Sequence, residues 1–184
     1  MSFEMMKKAM IGAIGIVALA GAGAAQAVTI TPGPGPYTFS GSSQLQGLGT
    51  SASCILSLTG TVVHDAGAGT STVEVTSGSV TAGDLTCGFI ELKNFPWVAV
   101  APDSSVPTGS DATLGLNFDN VEVSVLGIPC SSGPVTVPAV FKYVNPTSAP
   151  SAVAAEIDFA GAIGGCSVNG ALSDNSSTLE ITNP

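Results

Sequence analysis

Apolar side chains in this chain recur at every second position and almost nowhere at helical spacing. Cys54, Leu56 and Leu58 share one parity, with Ser53, Ser57 and Thr59 on the other. Val73 and Val75 alternate with Thr72, Glu74 and Thr76, and Ala155, Ile157 and Phe159 alternate with Glu156 and Asp158. Leu85, Cys87 and Phe89 fall on one face, as do Cys166 with Val168 and Leu179 with Ile181. Successive side chains of a strand point to opposite faces, so each run reads as a half-buried strand. Glycine, proline and aspartate interrupt the runs at 64–69, 102–111 and 146–150. About nine to twelve short strands without a helix signal predict an all-β antiparallel sandwich or barrel.

One pairing can be placed in register. Leu114, Leu116 and Phe118 lead up to Asp119-Asn120, and Val121, Val123 and Val125 lead away. A two-residue type I′ turn at Asp119-Asn120 puts all six apolar residues on one face of a hairpin. Glu122 and Ser124 then look outward, opposite Asn117 and Gly115.

Residues 1–27 have the three parts of a secretory leader. Lys7 and Lys8 form the basic region, an apolar run follows from Ala9 to Ala20, and Ala25-Gln26-Ala27 is a small-residue cleavage site. The apolar run is short for a membrane span, so no transmembrane anchor is expected. Cleavage after Ala27 predicts a product beginning at Val28. The TPGPGP stretch at 31–36 is stiff and non-helical. It sets off an extended arm, 28–40, from a single β domain, 41–184. Alternating Val28, Thr29, Ile30 and Thr31, with Tyr37 and Phe39 beyond, give the arm side chains for pairing with the edge of another copy's sheet.

Cys54, Cys87, Cys130 and Cys166 are an even set in a chain read as exported, which predicts two disulfides. Three pairings are possible. We favour Cys54–Cys87 with Cys130–Cys166, because each closes a moderate loop within one half of the chain. No cysteine pair has metal-ligand spacing.

Charge narrows the partners. The whole chain has 4 basic and 13 acidic residues. Without residues 1–27, two lysines and twelve acids remain, a formal charge of 2 − 12 = −10. That excludes nucleic acid, which needs several basic contacts to phosphate, and disfavours anionic lipid.

Candidate chemistry is sparse. His64 is the one histidine, so His64-Asp65 is the one place where a serine triad could start. No G-x-S-x-G elbow accompanies it, and the expectation is a solvated turn histidine. Asp103, Asp111, Asp119 and Glu122 match no calcium loop. No metal and no cofactor are expected, and a secreted hydrolase is the weakest reading. Asn175-Ser176-Ser177 is a glycosylation sequon by pattern only. Phe95-Pro96-Trp97, between two strands, reads as a core plug or as an exposed apolar knob that marks hydrocarbon or partner contact.

Four stretches together carry a family likeness. They are LTCGFI at 85–90, NFPWV at 94–98, the valine-rich segment 117–125, and GGCSVNG at 164–170. In this order the chain resembles the bacterial protein activator of alkane oxidation (PraB-like) family over roughly 41–182. The resemblance implies a small secreted protein tied to growth on alkanes and to the bacterial surface or biofilm. It implies no catalytic residues. The expected function is a secreted, non-catalytic accessory protein that contacts hydrocarbon. The alternative is a biofilm adhesin or filament subunit assembling through its N-terminal strand.

Overall fold

The computed structural model describes residues 28–31, 33, 35–106, 111–144, 155–174 and 179–182. The leader, its cleavage site, the 146–150 turn and the Asn175 sequon lie outside them. Twelve strands follow in order: β1 Thr29–Thr31, β2 Tyr37–Gly47, β3 Thr50–Asp65, β4 Thr70–Gly83, β5 Ile90–Lys93 and β6 Trp97–Pro102, then β7 Asp111–Val125, β8 Ile128–Pro129, β9 Val135–Val144, β10 Glu156–Ile163, β11 Cys166–Asp174 and β12 Glu180–Thr182.

Eight of them close on themselves. The order β9-β10-β11-β2-β3-β4-β6-β7 returns to β9 through the β7–β9 ladder. Of the two expected architectures, the fold is the barrel. At eight strands a barrel interior is just wide enough for side chains to fill it. Here Phe118, Leu58, Ile157, Leu172 and Val137 fill it. Phe118 and Phe159 meet at 5.6 Å between ring centroids, and Phe39 meets Phe141 edge-on at 6.1 Å.

The wall has its apolar face inward. On β3, Ala52, Cys54, Leu56, Leu58 and Val62 are buried, while Ser51, Ser53, Ile55 and Val63 are exposed. On β2 the outward row includes Thr38, Ser42, Gln44 and Gln46. A membrane-spanning barrel needs the reverse, an apolar band facing lipid.

The expected hairpin is a single strand. β7 runs unbroken through Asp119-Asn120 and pairs with β9 over Asp111–Val121. Phe118 lies opposite Val137 and Val121 opposite Val135. Three steps on β7 match two on β9, so one residue bulges. Asn120 takes the left-handed conformation there, φ 69°. An extra residue resets parity as a two-residue turn does. All six apolar residues therefore do face the core, although the chain never turns back. Ser124 corrects the outward assignment: it is 1% exposed and donates to Glu91 Oε2 at 3.1 Å.

The arm is shorter than expected. Tyr37 and Phe39 are buried residues of β2, so the barrel wall starts at 37 and not at 41. The Tyr37 hydroxyl donates back to the Gly33 carbonyl. Burial, with Asp174 nearby, pushes that phenol above its usual range. Val28 is buried too, and β1 pairs antiparallel with β12 of the same chain.

Candidate functional site: the two ends of the barrel

Strand direction sorts the turns at the barrel's edges to one end or the other, while residues 94–96, between β5 and β6, lie within the wall. The turns 47–50, 84–89, 126–134 and 163–166 share one rim. The turn 65–70, the segment Asp103–Ser105, and the strand ends at 111, 144, 156 and 174 share the opposite one.

Both disulfides brace the first rim. They are Cys54–Cys87, with Cα atoms 5.7 Å apart, and Cys130–Cys166, at 5.4 Å. These are the favoured pairs. Cys130 and Cys166 belong to the main core, whereas Cys54 and Cys87 form a small separate cluster with Ala52. Further bonds tie the rim together. The Gly165 amide donates to the Cys130 carbonyl at 2.7 Å, and the Cys130 amide donates to the Val123 carbonyl at 2.9 Å.

Residues 85–89 form a 3₁₀ segment and not the expected strand. Its start is held at Gly83, φ 108°, where a Cβ would lie 2.0 Å from the Ser53 carbonyl oxygen. Asp84 then grips Ser53 twice. Its carboxylate accepts the Ser53 amide at 2.7 Å, and its own amide donates to the Ser53 carbonyl at 3.1 Å. The Cys54 bridge pins Cys87 inward. In a strand, Leu85 and Phe89 would point inward with Cys87. A 3₁₀ segment turns about 120° per residue, so positions two away face elsewhere. Leu85 is 95% exposed and Phe89 is 57% exposed.

More apolar side chains gather on this rim. The Leu126 amide donates to the Phe89 carbonyl at 3.0 Å, and Ile128 pairs with Val125. Leu48, on the β2–β3 turn, Leu126 and Ile128 are all exposed. Thus five of the nine exposed large hydrophobics among the described residues lie on one rim. Asp84 is the sole ionisable residue in its four turns.

The opposite end is acidic. It carries Asp65, Asp103, Glu156 and Asp174, with Lys142 bridging Glu156 at 2.6 Å and Asp158 at 2.5 Å. Those two carboxylates hold the Lys142 ammonium above its ordinary range. His64 belongs here and is no solvated turn residue, since its side chain is 13% exposed. Its Nδ1 lies 3.3 Å from Ser71 Oγ and 3.5 Å from Asp103 Oδ1, and its buried Nε2 has no hydrogen-bond partner. A triad base takes the nucleophile on one ring nitrogen and its orienting acid on the other. Serine and aspartate here crowd the same nitrogen, so this trio has the residue types but not the relay. The acids weighed for calcium are not gathered either. Asp119 accepts from Thr136 Oγ1 at 2.5 Å, and Glu122 pairs across to Lys93. Among the described residues no group of three or more His, Cys, Asp or Glu is placed to hold a metal.

Phe95-Pro96-Trp97 divides between the two expectations. Trp97 is 4% exposed, stacks on Phe95 at 4.7 Å, and donates its indole N–H to the Lys93 carbonyl at 2.8 Å. Phe95 is half-buried against the core, and Pro96 alone is exposed. The tryptophan is a plug, and the exposed apolar surface lies on the rim. Sequence reasoning placed Leu85 and Phe89 on a buried strand face. The signal against that was the Gly83-Asp84 pair before them and Gly88 within.

Inside the barrel, Leu58, Val80, Ile90, Leu92, Trp97 and Val123 border an apolar cavity of about 50 Å³. The Ser43 hydroxyl at its edge is occupied, donating to the Cys54 carbonyl at 3.4 Å. An unfilled space of this size costs about 1 kcal/mol.

The class of protein is thus a closed, polar-walled eight-stranded barrel with a disulfide-braced apolar rim and an acidic opposite end. Residues 3–183 match the family described as alkane oxidation protein activator PraA/PraB-like, and the chain belongs to that family. No curated protein and no solved structure matches it.

Proposed function

We propose that this chain is an exported, non-catalytic accessory protein that promotes alkane use by direct physical contact with hydrocarbon outside the cell. The observation that carries this reading is the polarity of the barrel. One rim displays Leu48, Leu85, Phe89, Leu126 and Ile128, while the other end bears the acids. Such a body orients at an oil–water boundary, with the apolar rim in contact and the acidic end in water. The family's description as an activator of alkane oxidation names the process that the contact serves. The outward Ser, Thr and Gln rows keep the wall wetted, and the disulfides suit an oxidising compartment.

The test uses the purified disulfide-intact protein with a hexadecane emulsion. Droplet association should fall at least tenfold in a Leu85→Asn, Leu126→Asn double variant. Leu126 sits at φ 53°, a conformation asparagine tolerates, so the change leaves the turn intact. Undiminished association would sink the rim as the contact. In cells, deletion of the protein should slow growth on long-chain alkanes and leave growth on the matching alcohols normal.

A second reading rests on β1. It lies outside the closed barrel and is paired only with β12 among the described residues. A neighbour's Val28–Thr31 segment at that place would link copies into a filament of the biofilm matrix. Electron microscopy of the purified protein decides between the two. Polymers that vanish on deleting residues 28–36 favour the filament, and discrete small particles favour the accessory factor.

A further inference from the structure

The barrel wall has a seam. β4 pairs with β6 only over Thr70–Val75, facing Pro102–Trp97, while β5 pairs only with β7 over Ile90–Lys93. The upper part of β4, residues 76–83, therefore has β3 on one side and no ladder on the other among the described residues. Side chains close the gap instead. Leu92 packs onto the bare backbone of Gly78, where a Cβ would lie 2.8 Å from Leu92 Cδ1. Directly behind are Val80, Ile90, Leu92 and Trp97, which line the interior cavity. Above it sits the 3₁₀ segment 85–89, pinned by Cys54–Cys87, with Val80 and Ile90 packed against that bridge.

We propose that this cavity is a binding site for the end of a single linear alkyl chain, entered through the β4–β5 seam beneath the 3₁₀ segment. The choice of ligand rests on the hydrocarbon-contact reading above. The site itself rests on the seam and on the cavity's chemistry. Its lining is aliphatic apart from Phe159, Trp97, Cys54 and a hydroxyl already engaged. Apolar cavities stay dry and take apolar guests. The volume sets the limit. A cavity of about 150 Å³ takes a six-carbon guest, so 50 Å³ admits about two carbons. The barrel is thus no carrier for a whole long alkane. It grips a chain end while the remainder stays in the surrounding oil or water. A seam closed by side chains opens without breaking a backbone ladder, and Leu92 is the side chain that has to move.

The probes are n-alkanes from methane to octane, titrated in solution against the disulfide-intact protein and followed by methyl NMR. Saturable shifts are expected at Leu58, Val80, Ile90 and Leu92, and not at Leu85 or Leu126. Each methylene that enters an apolar site is worth about 0.8 kcal/mol, or about fourfold in affinity. Affinity should therefore climb about fourfold from methane to ethane and then level off. Adsorption on the rim would keep climbing to octane, and that result overturns the proposal. Val80→Phe fills the cavity and should lower affinity at least tenfold, while Leu85→Asn with Leu126→Asn leaves it unchanged. Retained binding in a folded Val80→Phe protein also overturns it, and the chain-length series stands by itself if that variant fails to fold. Droplet association of the wild type is scored separately. A protein that adsorbs to hexadecane but shows no cavity shifts loses this site and keeps its proposed function. One that binds pentane in the cavity but ignores droplets does the opposite.

Discussion

The two ends of the barrel are built by opposite means. The apolar rim is held covalently, with two disulfides and a carboxylate-to-amide clamp from Asp84 to Ser53. The acidic end is held by charge and hydrogen bonds: Lys142 between two carboxylates, Tyr37 onto Gly33, and the Asp103 amide onto the Gly69 carbonyl at 2.9 Å. The difference follows from what each displays. Exposed leucine and phenylalanine gain by collapsing onto the core, so keeping them outward needs a fixed backbone. The carboxylates of the other end are solvated, as at Asp65, or paired with Lys142, as at Glu156 and Asp158, and need no such constraint.

Breaking the braces gives the largest expected effects. Each bridge spans a similar loop, 33 and 36 residues, and loop entropy predicts about 4 kcal/mol for either. Cys130→Ser with Cys166→Ser should cost about 1 kcal/mol more than Cys54→Ser with Cys87→Ser, because the former pair belongs to the main core. Denaturant unfolding of the two double variants checks the order. The second variant should lose droplet association out of proportion to its stability, since it frees the 3₁₀ segment that displays Leu85 and Phe89. Equal loss of both properties in the two variants would erase the distinction between core staple and display brace.

The wall between the ends supplies the next effect. Leu116→Ala deletes buried volume and should cost about 2–5 kcal/mol, whereas Asn117→Ala, on the exposed face, should stay within about 0.5. Asn120→Val then distinguishes a bulge from a plain strand. A β-branched residue at φ 69° should cost about 1–3 kcal/mol. No cost would mean that the bulge does not exist.

The smallest effects are pH dependences, and they run oppositely at the two ends. Hydrogen bonds from Lys93 and Ser124 hold the Glu91 carboxyl, near the braced rim, below its ordinary 4.5. Its contribution is present above that value and is lost as pH falls below it. Lys142, at the acidic end, is held above its ordinary 10.5 by Asp158 and Glu156. Its contribution is complete below that value and is lost as pH rises past it. Both groups are exposed, so the changes are small. Acid should therefore raise amide exchange first on β5 and alkali first on β9–β10. Glu91→Gln and Lys142→Met should each flatten one limb and leave the other. A single shared response would deny that the ends are independent.

Much of this was legible in the chain. The inward rows of β3, β7 and β10 can be read from alternation, and the disulfide pairing from loop length. The alkane-activator family likeness can be read from the order of four short stretches. The rim was not legible, because Leu85, Cys87 and Phe89 alternate as faultlessly as any strand. Nor was the trio His64, Ser71 and Asp103, because its members are 7 and 39 residues from the histidine and meet only when β3, β4 and the segment Asp103–Ser105 share one end.

On β3, β7 and β10 alternation by itself determined which side chains are buried, since the period of the pattern is the period of the strand. That holds even through Asp119-Asn120, where a two-residue turn and a one-residue bulge shift parity alike and leave the same six residues inside. Parity carries no information on whether the chain reverses. The tertiary structure decided that, because only a straight β7 lets β9 pair along its length and complete the eighth seam of the barrel. The same holds at 85–89. Local pattern favoured a strand, but the Asp84 clamp and the bridge to Cys54 act across some thirty residues of sequence. Those long-range constraints turned an inward row into an outward one.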